Sequence, residues 1–284
     1  MYYIVIPTHN RLQTTLNCIR SLNQNNVFDW AKVIVVDDAS SDGTSSLISR
    51  EWKNIIILEG NGNLWWGGAM RKGMEYAFAQ TDCSGIIWLN DDCIPEKETL
   101  RIIADKADSI HGIAVAESTA TNGVIYAGFK KNLFGLRFVK SSHKDIRIDS
   151  FSGNCVAIHR SVVDKIGFVD SFNLPHHYAD TDYGLKASSA GIPVFLCAEA
   201  RCNNAPNNNL GMKSWLSDPT PTEDILKSFE SLKSMMHKRS RVYFYTMHWG
   251  ISGYVRCIYD MLRFVSFRII HDKVIKKPIK SNSK

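Results

Sequence analysis

Several features that would move this chain out of the ordinary globular class are scarce or missing. Pro and Gly number only 8 and 18 in 284 residues, which excludes collagen-like and low-complexity classes. Charged residues at 22% against 44% hydrophobic exclude a wholly disordered chain. The seven cysteines (Cys18, Cys83, Cys93, Cys155, Cys197, Cys202 and Cys257) are odd in number, scattered, and never spaced as CxxC. A disulfide framework and a cysteine zinc site are both disfavoured. The N-terminal MYYIVIPTHN has no basic stretch ahead of an apolar run, so no secretory signal is expected and a reducing cytoplasm is the expected compartment. Long hydrophobic runs are missing too. The longest uncharged stretch of the C-terminal tail, residues 242–255, has 14 residues, short of the roughly 20 needed to cross a bilayer.

What is present is unevenly distributed. The net charge of +6 comes from the tail, where eleven Lys or Arg from residue 237 onward face two acids, Asp260 and Asp272. That leaves 23 basic and 26 acidic groups in the first 236 residues. The tail interleaves aromatic and aliphatic residues with Arg256, Arg263 and Arg268 and closes on KVIKKPIK. Such a stretch suits the headgroup region of an anionic leaflet, where each Lys or Arg contributes about 1 kcal/mol. A C-terminal helix packed on the body with a solvated basic face accounts for it equally well. No recognition motif accompanies the charge, so no nucleic-acid partner is expected.

The first hundred residues alternate short apolar runs with helical patterns. Strands are predicted at 2–7, 32–38, 55–58 and 85–92, and helices at 12–23, 45–52 and 68–79. That alternation predicts an α/β fold with a Rossmann-like, mostly parallel central sheet covered on both faces, whose ligands bind at the carboxyl ends of the strands. Polar groups gather at those ends: Pro7-Thr8-His9-Asn10-Arg11, then Asp37-Asp38-Ala39-Ser40-Ser41-Asp42-Gly43-Thr44, then Asn90-Asp91-Asp92. Turns and helix caps explain any one of them. Three such clusters, at the ends of the first, second and fourth strands and two of them acidic, point to a site.

Two rival motifs fail. The loop from Asp38 has Ser49 at its twelfth position, where an EF-hand requires a bidentate Glu. Gly60-Asn61-Gly62 opens like a dinucleotide fingerprint, but Trp65 replaces the third Gly. Gly67-Gly68 is expected to precede a helix and present backbone N–H groups to a ligand, with Arg71 or Lys72 near a diphosphate.

IPTHNR, VVDDASSDGT, the NDD ending a strand and YADTDYGLKASSAG, taken in order, resemble family 2 inverting glycosyltransferases of the GT-A fold over about residues 2–200. GNLWWGGAMRKG is similar to the bacterial rhamnosyl- and galactofuranosyl-transferases of surface polysaccharide synthesis. The resemblance implies transfer of a sugar from a nucleotide-diphosphate donor to an acceptor hydroxyl with inversion, assisted by Mg or Mn. It implies that Asp92 is the metal ligand, with Asn90 in place of the usual first Asp and Asp91 as helper. Asp37 and Asp38 are expected to hold the nucleoside, with Pro7, Thr8 and Arg11 flanking the same pocket and Asn63, Gly68 and Arg71 on the donor side. His9 and Asn10 are expected to brace their loop. Asp180 matches the second acid of the family's ED signature and is expected to be the catalytic base, with Asp182 as the other candidate. Gly153, Asn154 and His177 are expected on the acceptor side. Relatives often place a metal-binding His after the following strand, where this chain has Asn203 and Asn204 as substitutes.

The expected organisation is a glycosyltransferase domain over 1–205, with a nucleotide-sugar half at 1–110 and an acceptor half at 111–205. A loop (203–222), a helix (223–236) and the basic helical C-terminal region complete the 206–284 appendage, which is expected to touch an anionic membrane surface. A glycan or lipid-linked glycan acceptor fits such an enzyme, which would be cytoplasmic or peripheral on the inner membrane face. The alternative is a catalytically silent nucleotide-sugar-binding protein of the same fold, suggested by Asn90, by Ala179 in place of Glu, and by the missing His.

Overall fold

A computed structural model describes residues 1–120, 123, 125–204 and 225–275, without the side chains of residues 225–226 and 267–275. The chain divides into two units, Met1–Asn207 and Asn208–Lys284.

The first unit opens with β1 (Tyr2–Thr8), α1 (Leu12–Gln24), β2 (Ala31–Asp37), α2 (Thr44–Glu51), β3 (Ile55–Glu59), α3 (Trp65–Phe78) and β4 (Gly85–Leu89). The four predicted strands and three predicted helices all form. These strands lie in the order β3-β2-β1-β4, all parallel. Their apolar residues run continuously instead of alternating, because helices cover both faces and residues such as Ile4, Val5, Ile6, Ile86, Ile87 and Trp88 are completely buried. Helix α3 lies directly on β1: a Cβ on Gly73 would sit 2.2 Å from Val5 Cγ1, so only glycine permits that approach.

The chain continues through β5 (Cys93–Pro95), α4 (Thr99–Ile110), β6 (Ile113–Ala120), β7 (Ile125–Tyr126), β8 (Gly128–Asn132), β9 (Gly135–Val139), β10 (Ile146–Arg147), β11 (Ser150–Phe151), β12 (Cys155–His159), α5 (Arg160–Ile166), α6 (Ala179–Ser189) and β13 (Val194–Asn204). The full sheet runs β10-β13-β6-β12-β4-β1-β2-β3. It is more mixed than the sequence predicts, because β12 is antiparallel to both β4 and β6. That reversal matters for the site. Cys155 pairs with Leu89, so the residues just before β12 arrive at the edge where β4 ends. A separate small sheet, β11-β8-β9, carries the β8–β9 hairpin.

The second unit contains α7 (Ile225–Glu230) and α8 (Lys238–Ile275). The helix expected over 223–236 therefore stops at Glu230, followed by turns. Helix α8 breaks at Gly250, whose φ of 58° and ψ of −134° are not helical. Arg241 Nη2 lies 2.6 Å from Asp260 Oδ2, although an unbroken helix would separate those residues by about 28 Å. The two arms fold into a hairpin, with Met236 and Phe264 packed among Phe229, Met261 and Val265. Asn203 and Asn204, expected to open a loop, end β13 instead; residues 205–222 of that loop lie outside the described residues.

Candidate active site

The parallel register sets Thr8 beside Asp37, and the turn that follows β4 brings Asp91 to the Thr8 side chain. Asp91 is buried, with Thr8 Oγ1 and Thr15 Oγ1 donating to its Oδ2 at 3.5 and 3.3 Å and Arg11 Nη1 3.0 Å from its Oδ1. Burial pushes its pKa up to about 7, with Arg11 opposing and the Asp92 carboxylate adding to the rise. Asp92, also buried, accepts from Arg11 Nη2 at 3.1 Å. One guanidinium thus spans both carboxylates. Pro7 and Thr8 end β1 beneath it, and Thr15, one helical turn after Arg11, is a contributor that no sequence motif announces.

The second acidic strand end is spent on backbone. Asp37 accepts from Ser40 N at 3.0 Å and from the Ser45 hydroxyl. Asp38 accepts from Gly62 N, Leu64 N and Trp65 N at 2.7, 2.8 and 3.1 Å. The last two donors start α3, so this carboxylate caps that helix from a distant point in sequence. A Cβ on Gly60 would lie 2.4 Å from Asp38 Oδ1, which keeps that position glycine. His9 and Asn10 brace their loop as expected: His9 Nδ1 is 2.6 Å from Asp38 O, and Asn10 Oδ1 accepts from Ser41 N at 2.7 Å. Asp42 binds Leu12 N and the Thr44 hydroxyl, at 2.9 and 2.5 Å.

A third group joins the two halves of the sheet edge. Asn90 Oδ1 accepts from Trp66 Nε1 at 2.8 Å, its Nδ2 donates to Asn154 Oδ1 at 3.0 Å, and its backbone N–H donates to Asn154 O at 2.9 Å. Next to Asn154, Gly153 N donates to Asp180 Oδ2 at 2.7 Å. A Cβ on Gly153 would fall 2.8 Å from both Asp180 Cβ and Trp66 Cζ2, so the glycine is required for this contact. Asp180 Oδ1 accepts from Thr181 N at 2.8 Å. Burial raises the pKa of Asp180, against the lowering effect of these donors and of nearby His177. Asp182 is different: fully buried, it pairs with Lys186 Nζ at 2.7 Å. Only Asp180 is held by neutral donors next to the Asn90–Asn154 wall.

His177 meets His176 in a tilted contact at a centroid distance of 4.6 Å, and His176 meets Trp65 likewise at 5.5 Å, with His177 near Asp180. Two expectations need correction. Gly67 and Gly68 lie inside α3, and their N–H groups are taken by Pro175 O at 2.7 Å and Leu64 O at 3.0 Å, so neither N–H is left for a ligand. Arg71 spends its guanidinium on Glu75 at 2.7 Å and lies over the Phe168 ring. Asn63 is an exposed loop residue whose N–H donates to Asn61 Oδ1 at 3.0 Å.

A hard divalent cation fits the Asp91–Asp92 corner in one specific sense. The corner already seats a positive group, Arg11, against two carboxylates. Asn204 pairs in register with Cys93, the residue after Asp92, and its buried Oδ1 has no hydrogen bond. Among the described residues no three His, Cys, Asp or Glu side chains form a metal cage. Few protein oxygens completed by phosphate oxygens is the usual arrangement for such an ion.

A sheet with this order, switching direction at β12 and carrying acids at its carboxyl edge, is a GT-A fold. Residues 3–167, more than half of the chain, match the family described as glycosyl transferase family 2; the chain belongs to that family and is a glycosyltransferase. Among solved structures it is similar to S. aureus TarS 1-349 in complex with UDP-GlcNAc: 14% identity, TM-score 0.56, covering 93% of this chain and 81% of that one. It is also similar to GalNAc-T7 with UDP, GalNAc and Mn2+, at 14% identity and TM-score 0.61, over 98% and 58% of the two chains. A third is the mannosyltransferase PcManGT from Pyrobaculum calidifontis with GDP-Man and Mn2+, at 13% identity and TM-score 0.54, over 97% and 88%. At these identities the likeness is one of fold. No curated protein matches the chain by sequence.

Proposed function

We propose that this glycosyltransferase moves a sugar from a nucleotide-diphosphate donor to an acceptor hydroxyl in one inverting displacement. The observation that carries this reading is the short bonded path from Asp180 through Gly153, Asn154 and Asn90 to Asp92, which joins a carboxylate held by neutral donors to one that attracts cations. Asp180 takes the acceptor proton as the hydroxyl oxygen bonds to the anomeric carbon. The bond to the diphosphate breaks on the opposite face of the sugar, and its electron pair leaves with the diphosphate. A base in this position contributes about 10² to 10⁴ in rate. Mg2+ or Mn2+, held by Asp92 with Asp91 behind it and Asn204 Oδ1 as a further oxygen, would supply Lewis-acid stabilisation of the leaving group. Pro7, Thr8, Arg11, Asp37 and Asp38 frame the donor side within 1–110. Gly153, Asn154 and His177 frame the acceptor side within 111–205.

The acceptor in this reading is a lipid-linked glycan of bacterial surface polysaccharide synthesis, with the 206–284 region resting on the anionic cytoplasmic leaflet. Among the described residues no helix is long and apolar enough to cross a membrane. The second arm of α8 instead presents Ile251 (85% exposed), Val255, Ile258 and Leu262 (63% exposed) along one stripe, with Arg256 and Arg263 beside it. An apolar stripe flanked by arginine suits a helix lying in the interface.

The test is a panel of nucleotide sugars incubated with the protein, with and without Mn2+, followed by thermal melting and by NMR of the product. A matching donor raises the melting temperature by mass action. Metal-dependent turnover with inverted anomeric configuration is the expected result. Stabilisation without any turnover would identify a silent nucleotide-sugar-binding protein instead.

A further inference from the structure

We propose that the β8–β9 hairpin is an interfacial anchor that holds the acceptor wall of the site against an anionic bilayer surface. The turn between its strands should favour small polar residues, yet it carries Leu133 and Phe134, 73% and 72% exposed, with Phe138 exposed on the strand behind them. From Gly128 to Lys140 the hairpin holds Lys130, Lys131, Arg137 and Lys140 and no acid. Asp149 of the neighbouring segment reaches Lys130 at 3.3 Å, while Lys131, Arg137 and Lys140 are exposed around the apolar tip. An apolar wedge ringed by cations suits acyl chains below and lipid phosphates around it.

The hairpin is joined to the site by short, rigid connections. Strand β8 pairs with β11, in the register Ser150 with Phe129 and Phe151 with Gly128, and β11 leads within two residues to Gly153. Ser150 Oγ donates to Thr181 O at 2.6 Å, and the missing Cβ of Gly184 lets α6 close onto Ser150. A tip seated in a membrane therefore orients the segment that bears Asp180. A second copy of the chain is the poorer occupant: tip-to-tip contact would bring two acid-free sets of cations together. This inference rests on the lipid-linked acceptor of the proposed function and locates where the body of the enzyme meets that lipid.

The experiment uses the full-length chain with vesicles of phosphatidylcholine, alone or mixed with phosphatidylglycerol. Wild type is expected to favour the anionic vesicles, and the L133E/F134E variant to bind them about tenfold or more weakly, the loss of one or two buried apolar side chains. In F134W the added tryptophan emission, taken as the difference from wild type, is expected to shift to the blue on binding and to be quenched by lipids brominated on the acyl chain. Equal binding to both vesicle types, unchanged binding of L133E/F134E, or unshifted and unquenched F134W emission in the bound protein each overturns the proposal. Metal-dependent donor hydrolysis without lipid separates the two readings. It should be the same in L133E/F134E as in wild type, and its absence from wild type would defeat the transferase mechanism while leaving the anchor result standing.

Discussion

Asp92 and Asp180 stand at the two ends of a short path of chain and hydrogen bonds, yet their surroundings are opposite in kind. In the Asp91–Asp92 corner one guanidinium reaches both acids, while Asp180 is held by two backbone N–H groups, with His177 near it. Two acids that share one guanidinium leave the corner with more acid than cation, which favours a further positive charge. A carboxylate that is half-buried, held in place and not paired to a lysine is ready to accept a proton. Asp182, two residues on, shows the contrast at closest range, because Lys186 neutralises it.

The strongest way to break this contrast is to exchange the roles of the two α6 acids. D180N is expected to lower transfer by about 10² to 10⁴ while nucleotide-sugar binding persists. D182N is expected to leave the chemistry in place and to cost about 1–3 kcal/mol of stability through loss of the buried ion pair, with Lys186 left only the 4.0 Å contact to Asp170. Initial rates and denaturant melts of both variants decide, and an active D180N beside an inactive D182N would reverse the assignment. The raised pKa of Asp180, caused first by its burial, adds a pH test. The base form is lost on acidification at a pH above the ordinary carboxylate range, so the acid limb of the rate profile should lie higher than for an exposed aspartate.

Arg11 sharpens the other end. R11Q leaves two adjacent buried carboxylates without their cation. The expected loss is about 1–3 kcal/mol, less than for a fully enclosed pair because the Arg11 side chain is 39% exposed. Saturating Mn2+ should restore part of it in chemical denaturation, and no restoration would mean that the ion does not take this corner.

The smallest effect is expected at the joint between the ends. N90D keeps an acceptor for Trp66 Nε1 but loses the donor to Asn154, which should lower kcat about tenfold through the misplaced acceptor wall. The Mn2+ concentration for half-maximal activity should stay the same. A clear gain in Mn2+ affinity would instead make residue 90 part of the ion's own ligand set.

Much of this could be read along the chain. Strands β1 to β4 and helices α1 to α3 follow from apolar runs and helical periodicity, and the acids at the strand ends follow from their positions. Other features escaped because their cause lies far away in sequence. Helix α3 starts before Gly67 because the Asp38 carboxylate takes its first N–H groups, and Asp38 lies 26 and 27 residues upstream of those donors. Gly153 and Asn154 reach the site only because β12 enters antiparallel, which strand-by-strand patterns do not specify. The break in α8 falls at Gly250, and the arms it separates meet through Arg241 and Asp260, 19 residues apart.

The order of residues by itself determined the layered α/β scaffold, the family and the set of acids available, because periodicity and short motifs are local properties. Which acid holds a cation, which is spent on backbone and which is left to take a proton was decided by tertiary structure. Charge and hydrogen-bond energies depend on distances through space, and the partners that set them, Arg11 with Asp92 or Gly153 with Asp180, are 81 and 27 residues apart in the chain.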